Sequence, residues 1–599
     1  MKQIPLAGLV FAVFLPFAAP AASANLDAQV NDLLAKMTLE EKIGQMVQAD
    51  MKALNGHVSD IQKYNLGSML SGASSDPSPD NTAGSWLNAV GTYQSWALKT
   101  RLKIPLLYGI DAVHGHNNVA GAVIFPHNIG LGATHDPKLV EQAAHVTALE
   151  TAGTGIRWAF APCVAVAQNE RWGRTYESFS DSTRLVSEMG AAAILGLQGK
   201  ELNSHSVLAC AKHFIGDGGT LNGIDEGDAI CDEATLRKLY LPPFRAAIRA
   251  GVGSIMVSYS SWNGKKMSGN RYLLTDVLKG ELGFRGFLVS DYAAIDQISP
   301  DYKRDVETSV NAGLDMVMIP HGPGHTNNYV EFITDLEQLV AGGRVPQSRI
   351  DDAVRRILRV KFQLGLFENP RTDPALTAAI GSPEHRAVAR RCVRESLVLL
   401  KNENHVLPLS RHIEHLAVVG GAADDLGMQC GGWTISWQGG HGDVTSGGTT
   451  ILAAIRQAVL PETQVAFSPD GNHLRDPDAV IVVVAEPPYA EMKGDRTHLV
   501  LSAEDSALIA KAKSSAAPVV TILLSGRPLV LNSALEDSSA FVAAWLPGTE
   551  GLGVTDVLFG DYKFVGKLPR RWPRNDNLSS VNADASAPIQ FARGFGLTD

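Results

Sequence analysis

Gly283-Phe284-Arg285-Gly286-Phe287-Leu288-Val289-Ser290-Asp291-Tyr292 decides the fold. A turn bounded by two glycines leads into the short apolar run 287–290, and the run ends on a carboxylate. Continuous apolar runs of this length suit strands buried on both faces of a parallel sheet, not half-exposed strands, which alternate. An Asp at such a strand end is either a helix N-cap or ion-pair partner, or a reactive group at the carboxyl edge of the sheet, where α/β barrels carry their chemistry.

The runs on either side weigh between these readings. Similar apolar stretches occur at 66–70, 105–110, 158–166, 207–214, 254–259 and 314–319, separated by amphipathic segments of helical period. Seven strands alternating with helices predict a parallel sheet, with an eighth strand unassigned. Several runs end in polar groups: Asp111 follows Leu107-Tyr108-Gly109-Ile110, Lys212-His213 closes 207–214, and Arg171-Trp172-Gly173-Arg174 follows a third. Near the N-terminus, 30–46 has helical spacing, and Thr38 followed by Glu41 is a capping box that predicts a helix start. The helical segment 351–366 runs into Phe367-Glu368-Asn369-Pro370-Arg371-Thr372-Asp373-Pro374, whose prolines stop it and predict a linker. Beyond it, 415–419, 480–485, 519–524 and 541–545 read as buried strands of a second, smaller α/β unit. Gly420-Gly421-Ala422 starts like a dinucleotide fingerprint, but Ala422 and Asp425 stand where glycines are required, so no nucleotide site is expected.

With 599 residues, 45% hydrophobic and 19% charged, the chain can bury large cores, and its length suggests two to four domains. The formal charge of −10 without a basic stripe argues against a nucleic-acid partner. Lys2, an apolar run over 4–22 and Ala22-Ser23-Ala24 read as a cleaved export signal, leaving no membrane anchor and a periplasmic or secreted protein. Five cysteines (Cys163, Cys210, Cys231, Cys392, Cys430) are too few for a disulfide scaffold, and most read as buried thiols.

Polar groups converging from separate strand ends are what a sugar site needs, because every hydroxyl must replace its hydrogen bonds to water. With these motifs in order, the sequence resembles the two-domain family 3 glycoside hydrolases, most closely the β-glucosidase and β-glucan exohydrolase branch. Matching segments are 37–46, 109–115, 125–127, 173–174, 212–220, the Asp291 stretch, 312–316, 396–402, 430–438 and 566–569. The resemblance implies a (β/α)8 TIM-like barrel followed by an α/β sandwich, with the active site in the cleft between them. The expected division is a leader over 1–24, a barrel over 25–368, a linker over 369–382 and a sandwich domain over 383–599.

By resemblance, Asp291 is the nucleophile of a retaining hydrolysis and the acid/base lies in Ala485-Glu486-Pro487-Pro488-Tyr489-Ala490-Glu491-Met492-Lys493-Gly494-Asp495. Glu491, shortly before Lys-Gly-Asp, is the choice, with Glu486 in reserve. The same resemblance gives sugar holding to Asp111, Arg174, Lys212 and His213, and tuning of the acid/base to Glu226. In Gly431-Gly432-Trp433-Thr434-Ile435-Ser436-Trp437, Trp437 matches one of a pair of tryptophans that clamp the second glucose. Tyr292 stands where the other is expected, a departure that leaves linkage preference open. The implied activity is exo-acting release of glucose from β-linked gluco-oligosaccharides, without cofactor or metal. A β-N-acetylglucosaminidase, a β-xylosidase and a catalytically silent sugar-binding protein are the alternatives. His114 and His116 have strand-like ligand spacing, but no third ligand follows at a zinc spacing.

Overall fold

The computed structural model describes residues 21–72, 75–576 and 588–598. The expected leader falls outside these residues except for its last positions, which open helix α1 (Ala21–Lys36). The predicted capping box is present: Thr38 accepts from the Glu41 N–H at 3.3 Å, and the Glu41 carboxylate accepts from the Thr38 N–H at 2.9 Å. It starts α2 (Leu39–Gln45), so 30–46 is two helices broken at Met37–Thr38, not one.

Directly after α2 comes the strand missing from the sequence reading, β1 (Val47–Asp50). It pairs in parallel with β2 (Ser68–Ser71), which continues through β3 (Leu107–Ile110) to β4 (Trp158–Ala159). A second ladder holds β5 (Cys210–Phe214), β6 (Ser254–Val257) and β7 (Phe287–Val289), and β8 (Val317–Ile319) pairs back onto β1. Bridges Trp158↔Leu208, Cys163↔Lys212 and Val289↔Met316 join the two ladders, so eight parallel strands close on themselves as a barrel. β1 is not an apolar run, because Gln48 and Asp50 are polar. Both are buried and partnered, Gln48 with Ser68 Oγ at 2.8 Å and Asp50 with Ser75 Oγ at 2.8 Å.

The expected linker contains the short helix Pro374–Ala378, capped by Asp373. It is tied to the barrel helix Pro137–Gly153 by Thr372 and Thr377, whose hydroxyls donate to the carbonyls of Ala152 and Gly153. The second unit is a six-stranded sheet built from β9 (Val398–Asn402), β10 (His415–Val419), β11 (Gln464–Ser468), β12 (Ala479–Ala485), β13 (Val519–Leu524) and β14 (Ala540–Trp545). Their spatial order is β9-β14-β13-β12-β10-β11, with only β9 antiparallel to its neighbour. Alternate residues of β12 face two cores: Val480, Val482 and Val484 on one side, Ile481, Val483 and Ala485 on the other. The first of these cores also takes in Ile129, Ala133 and Tyr176 from the barrel. One face of the second sheet is thereby packed on the barrel, and the loops after β12 and between β10 and β11 are brought to its mouth. All five cysteines are free thiols, Cys231 half-buried and the other four buried.

Candidate active site

Asp291 follows β7 and is buried. Its Oδ1 accepts from the Tyr292 N–H at 2.8 Å, while Oδ2 is buried without a hydrogen-bond partner, 3.5 Å from His213 Nε2. Burial raises its pKa to about 6, against the pull of the Arg174 and Lys212 cations. Lys212 and His213 are consecutive on β5, and both are buried. Lys212 Nζ donates to Asp111 Oδ1 at 2.8 Å, across the barrel mouth from the end of β3. Asp111 has room because Gly72, after β2, lacks a side chain: a Cβ there would stand 2.7 Å from Asp111 Oδ2.

Arg174 links these groups to the second domain. Two of its nitrogens are held by the Glu177 carboxylate, each at 3.0 Å, which fixes the guanidinium plane. Nη1 then donates to Glu491 Oε1 at 2.8 Å, and Nη2 lies 3.0 Å from His213 Nε2. A guanidinium only donates, so this His213 nitrogen accepts and the ring proton sits on Nδ1, which meets Asp217 Oδ2 at 2.8 Å. Burial, together with the Arg174 and Lys212 charges, holds the imidazole neutral.

Glu491 has φ 54°, in the left-handed region that glycine prefers, a local strain of the kind that gathers at functional sites. Its loop is held by reciprocal bonds between Ala490 and the Gln438 side chain. It also lies so close to the barrel that a Cβ on Gly173 would come 1.9 Å from the Glu491 carbonyl oxygen, which explains the glycine of Gly173-Arg174. Asp495 clasps both domains, accepting from the N–H groups of Gly173 and Asp225 at 2.8 Å each. Desolvation raises the Glu491 pKa to about 8; Arg174 opposes this, and Asp225 and Asp291 add to it. Glu486 has a different environment: it is buried, accepts from the Tyr489 hydroxyl and the Gly526 N–H at 3.0 Å each, and has Arg496 and Arg527 at 3.4 Å. Those bonds occupy it structurally.

Glu226 bonds to Gln297 Nε2 at 2.7 Å, and its neighbour Asp225 is the carboxylate that acts on Glu491. Asp225 accepts from the Trp172 indole at 2.9 Å and keeps a buried Oδ2 without a hydrogen-bond partner. Trp433 is buried, and its indole donates to Glu177 Oε1 at 3.1 Å. Trp437 and Tyr292 are half-buried; the Tyr292 hydroxyl donates to Asp50 Oδ2 at 3.1 Å, and its carbonyl accepts from the Tyr259 hydroxyl. The sequence reading missed Asp50, Glu177, Asp217, Asp225 and Tyr259. Glu177 could have been found from its i,i+3 spacing to Arg174, and Asp217 from its place four residues after His213. His114 and His116 do not converge: His114 Nδ1 lies 3.1 Å from the Phe125 carbonyl and stacks on His127 at 3.6 Å, whereas His116 Nε2 meets Thr154 Oγ1 at 2.9 Å.

A buried and a half-buried carboxyl group thus meet one guanidinium-imidazole pair, both with raised pKa values, the Asp291 value to about 6 and the Glu491 value to about 8, beside a cluster of charged donors and acceptors. A separate cavity of about 580 Å³ opens at the carboxyl ends of β10 and β12, and none of these groups lines it.

Residues 38–360 match the glycosyl hydrolase family 3 N terminal domain, and residues 397–598 match the family 3 C-terminal domain. A lysosomal beta glucosidase of Dictyostelium discoideum is 34% identical over 91% of this chain and 72% of its own. A periplasmic beta-glucosidase of Salmonella typhimurium is 32% identical over 92% of this chain and 74% of its own. The crystal structure of an exo-1,3/1,4-beta-glucanase from a Pseudoalteromonas species superposes with a TM-score of 0.91 at 40% identity, covering 96% of this chain and 74% of that one.

Proposed function

The chain belongs to glycosyl hydrolase family 3 and is a glycoside hydrolase, and on that premise we propose that it is an exo-acting, retaining β-glucosidase that releases glucose from the non-reducing end of β-linked gluco-oligosaccharides. The observation that carries this reading is the bracket made by Arg174, which bonds Glu491 of the second domain and His213 of the barrel, with His213 against Asp291. Asp291 attacks the anomeric carbon, and the glycosidic C–O bond breaks as Glu491 gives its proton to the leaving oxygen. A glycosyl ester on Asp291 results. Glu491, now ionised, takes a proton from water, and that water opens the ester with a second inversion.

The two pKa values suit these roles: between about 6 and 8, Asp291 is ionised and Glu491 protonated. Asp111, Lys212 and Arg174 bind the hydroxyls of the terminal glucose through charge-assisted bonds, which are stronger than neutral ones, and His213 adds a neutral one. Trp437 and Tyr292 flank the leaving sugar. Residues 25–368 form the barrel domain and 383–599 the domain that supplies the acid. The composition of residues 1–24 and the periplasmic relative support export with removal of the leader.

Aryl β-glycosides test the specificity. The glucoside is expected to give the highest kcat/KM, with β-glucose as the first-formed anomer by NMR. Faster turnover of the xyloside or the N-acetylglucosaminide, or α-glucose as first product, overturns the proposal.

A further inference from the structure

Beneath the sugar-holding residues, His213 and its partner Asp217 meet a group that the hydrolysis does not use, the Cys163 thiol. The chain after β4 pairs with β5 through the bridge Cys163↔Lys212, which sets the Cys163 thiol beside His213. One ligand atom each from Cys163, His213 and Asp217 lies within 4.8 Å of the others, and all three residues are buried. Small and apolar neighbours, Ala165, Ala167 and Trp172, pack around the thiol.

We propose that Cys163 Sγ, His213 Nδ1 and an Asp217 carboxylate oxygen form a binding site for a soft divalent cation of the Zn²⁺ type, and that its occupation switches the enzyme off. The donor set is one thiolate, one imidazole and one carboxylate, and it leaves a fourth tetrahedral position for water. One dication balances the thiolate and the carboxylate, so the filled site is neutral, as a buried site requires. Metal–ligand distances of about 2.0–2.3 Å set tetrahedral ligand atoms roughly 3.3–3.7 Å apart, so the thiol must close by up to about an ångström while the His213–Asp217 pair, now at 2.8 Å, opens slightly to admit the ion.

The proton balance links this site to catalysis. The thiol ionises and its proton leaves to solvent. The imidazole stays neutral: Nδ1 gives up its proton to take the metal, and Nε2 gains one. The new Nε2–H then confronts the Arg174 Nη2 donor at 3.0 Å and points a donor at Asp291 Oδ2, 3.5 Å away. Arg174 keeps Glu177 and Glu491 but loses His213 as an acceptor, and the Asp291 oxygen that has no hydrogen-bond partner gains one. Metal bound on one ring nitrogen thereby resets the other, as hydrogen-bond partners of ligating histidines do in metal sites generally.

The effect on activity rests on the function proposed above, but metal binding does not, so the test reads them separately. Co²⁺ added to the full-length protein is expected to give a thiolate-to-cobalt charge-transfer band at one ion per chain, and Zn²⁺ to abolish aryl glucoside hydrolysis in proportion to occupancy, reversibly with a chelator. Cys163→Ser, checked by circular dichroism, should keep basal activity, lose the band and need at least about tenfold more Zn²⁺ for half-inhibition. Should the serine variant not fold, Cys163→Ala replaces it. Absence of the cobalt band in the wild-type protein, or equal Zn²⁺ sensitivity in the cysteine variant, overturns the site. A full band with activity unchanged overturns the switch.

Discussion

Replacing Glu491 by Gln keeps the shape of the side chain and an acceptor for Arg174 Nη1, now 2.8 Å from Oε1, but removes the transferable proton. The size of the effect depends on how much the leaving group needs that proton. Cellobiose leaves as a poor alkoxide, and a positioned general acid contributes about 10²–10⁴-fold to such a step. Dinitrophenyl glucoside leaves without help, so formation of the glycosyl ester should stay within severalfold of wild type. A pKa of about 8 leaves Glu491 mostly protonated at neutral pH, and two pH units higher the wild-type rate on cellobiose should fall about tenfold. Glu491→Gln should lose that limb altogether. Stopped-flow release of dinitrophenolate should show a burst followed by slow turnover, because the same residue serves as base in the second step. Azide should restore turnover and give a β-glucosyl azide, since a small anion needs no base. If Glu491→Gln hydrolyses cellobiose like wild type while Glu486→Gln shows the leaving-group dependence, the assignment is refuted.

Two other perturbations read separate parts of the structure. Asp225 raises the Glu491 pKa, so Asp225→Asn should move the basic limb of the kcat/KM profile for cellobiose to lower pH; an unmoved limb contradicts the coupling. Lys361 is fully buried, its ammonium bonded among the described residues to two neutral acceptors, Gln45 Oε1 at 2.7 Å and Gly67 O at 2.8 Å, and burial lowers its pKa to about 7 from 10.5. Between those values the unfolded chain binds more protons than the folded one, so stability due to this group rises with pH from about 7 to 10.5, by several kcal/mol on the order of the shift. Urea unfolding of wild type and Lys361→Met across that range should show the difference between them changing steadily with pH, and a constant difference contradicts it.

The barrel was legible where strands are apolar from end to end, as in 254–259 and 287–290, and where an element start carries its own chemistry, as at Thr38. It was not legible at β1, because Gln48 and Asp50 find buried partners, Ser68 and Ser75, that only the folded chain supplies. In the second domain β11 was not legible because Gln464–Ser468 is a half-exposed edge strand without an apolar run, and β9 because Val398–Asn402 follows the helix Pro383–Ser396 after a single residue, with no Gly or Pro to mark the change. The site shows the same division. Asp291, Asp111, Lys212 and His213 stand at strand ends, where sequence position alone argues a role. Glu177 and Asp217 hold Arg174 and His213 from a turn away, and Asp225 acts on Glu491 through its charge, across loops far apart in the chain; these relations appear only once the loops are placed. The choice of Glu491 over Glu486 rests on its place shortly before Lys-Gly-Asp; the surroundings of the two, which no sequence position shows, differ as well, Glu486 being bound by Tyr489 and Gly526 beside Arg527 and Glu491 facing Arg174 at the domain boundary.

The central claim is that one covalent intermediate forms on Asp291 in a site shared by two domains. Incubation with a dinitrophenyl 2-deoxy-2-fluoro-β-glucoside, followed by proteolysis and mass spectrometry, tests it most directly. Stoichiometric inactivation is expected, with the fluoroglucosyl group on the peptide containing Asp291 and no label in Asp291→Asn. Label on Glu491, Glu486 or any other carboxylate, or steady turnover with no labelled peptide, would contradict it.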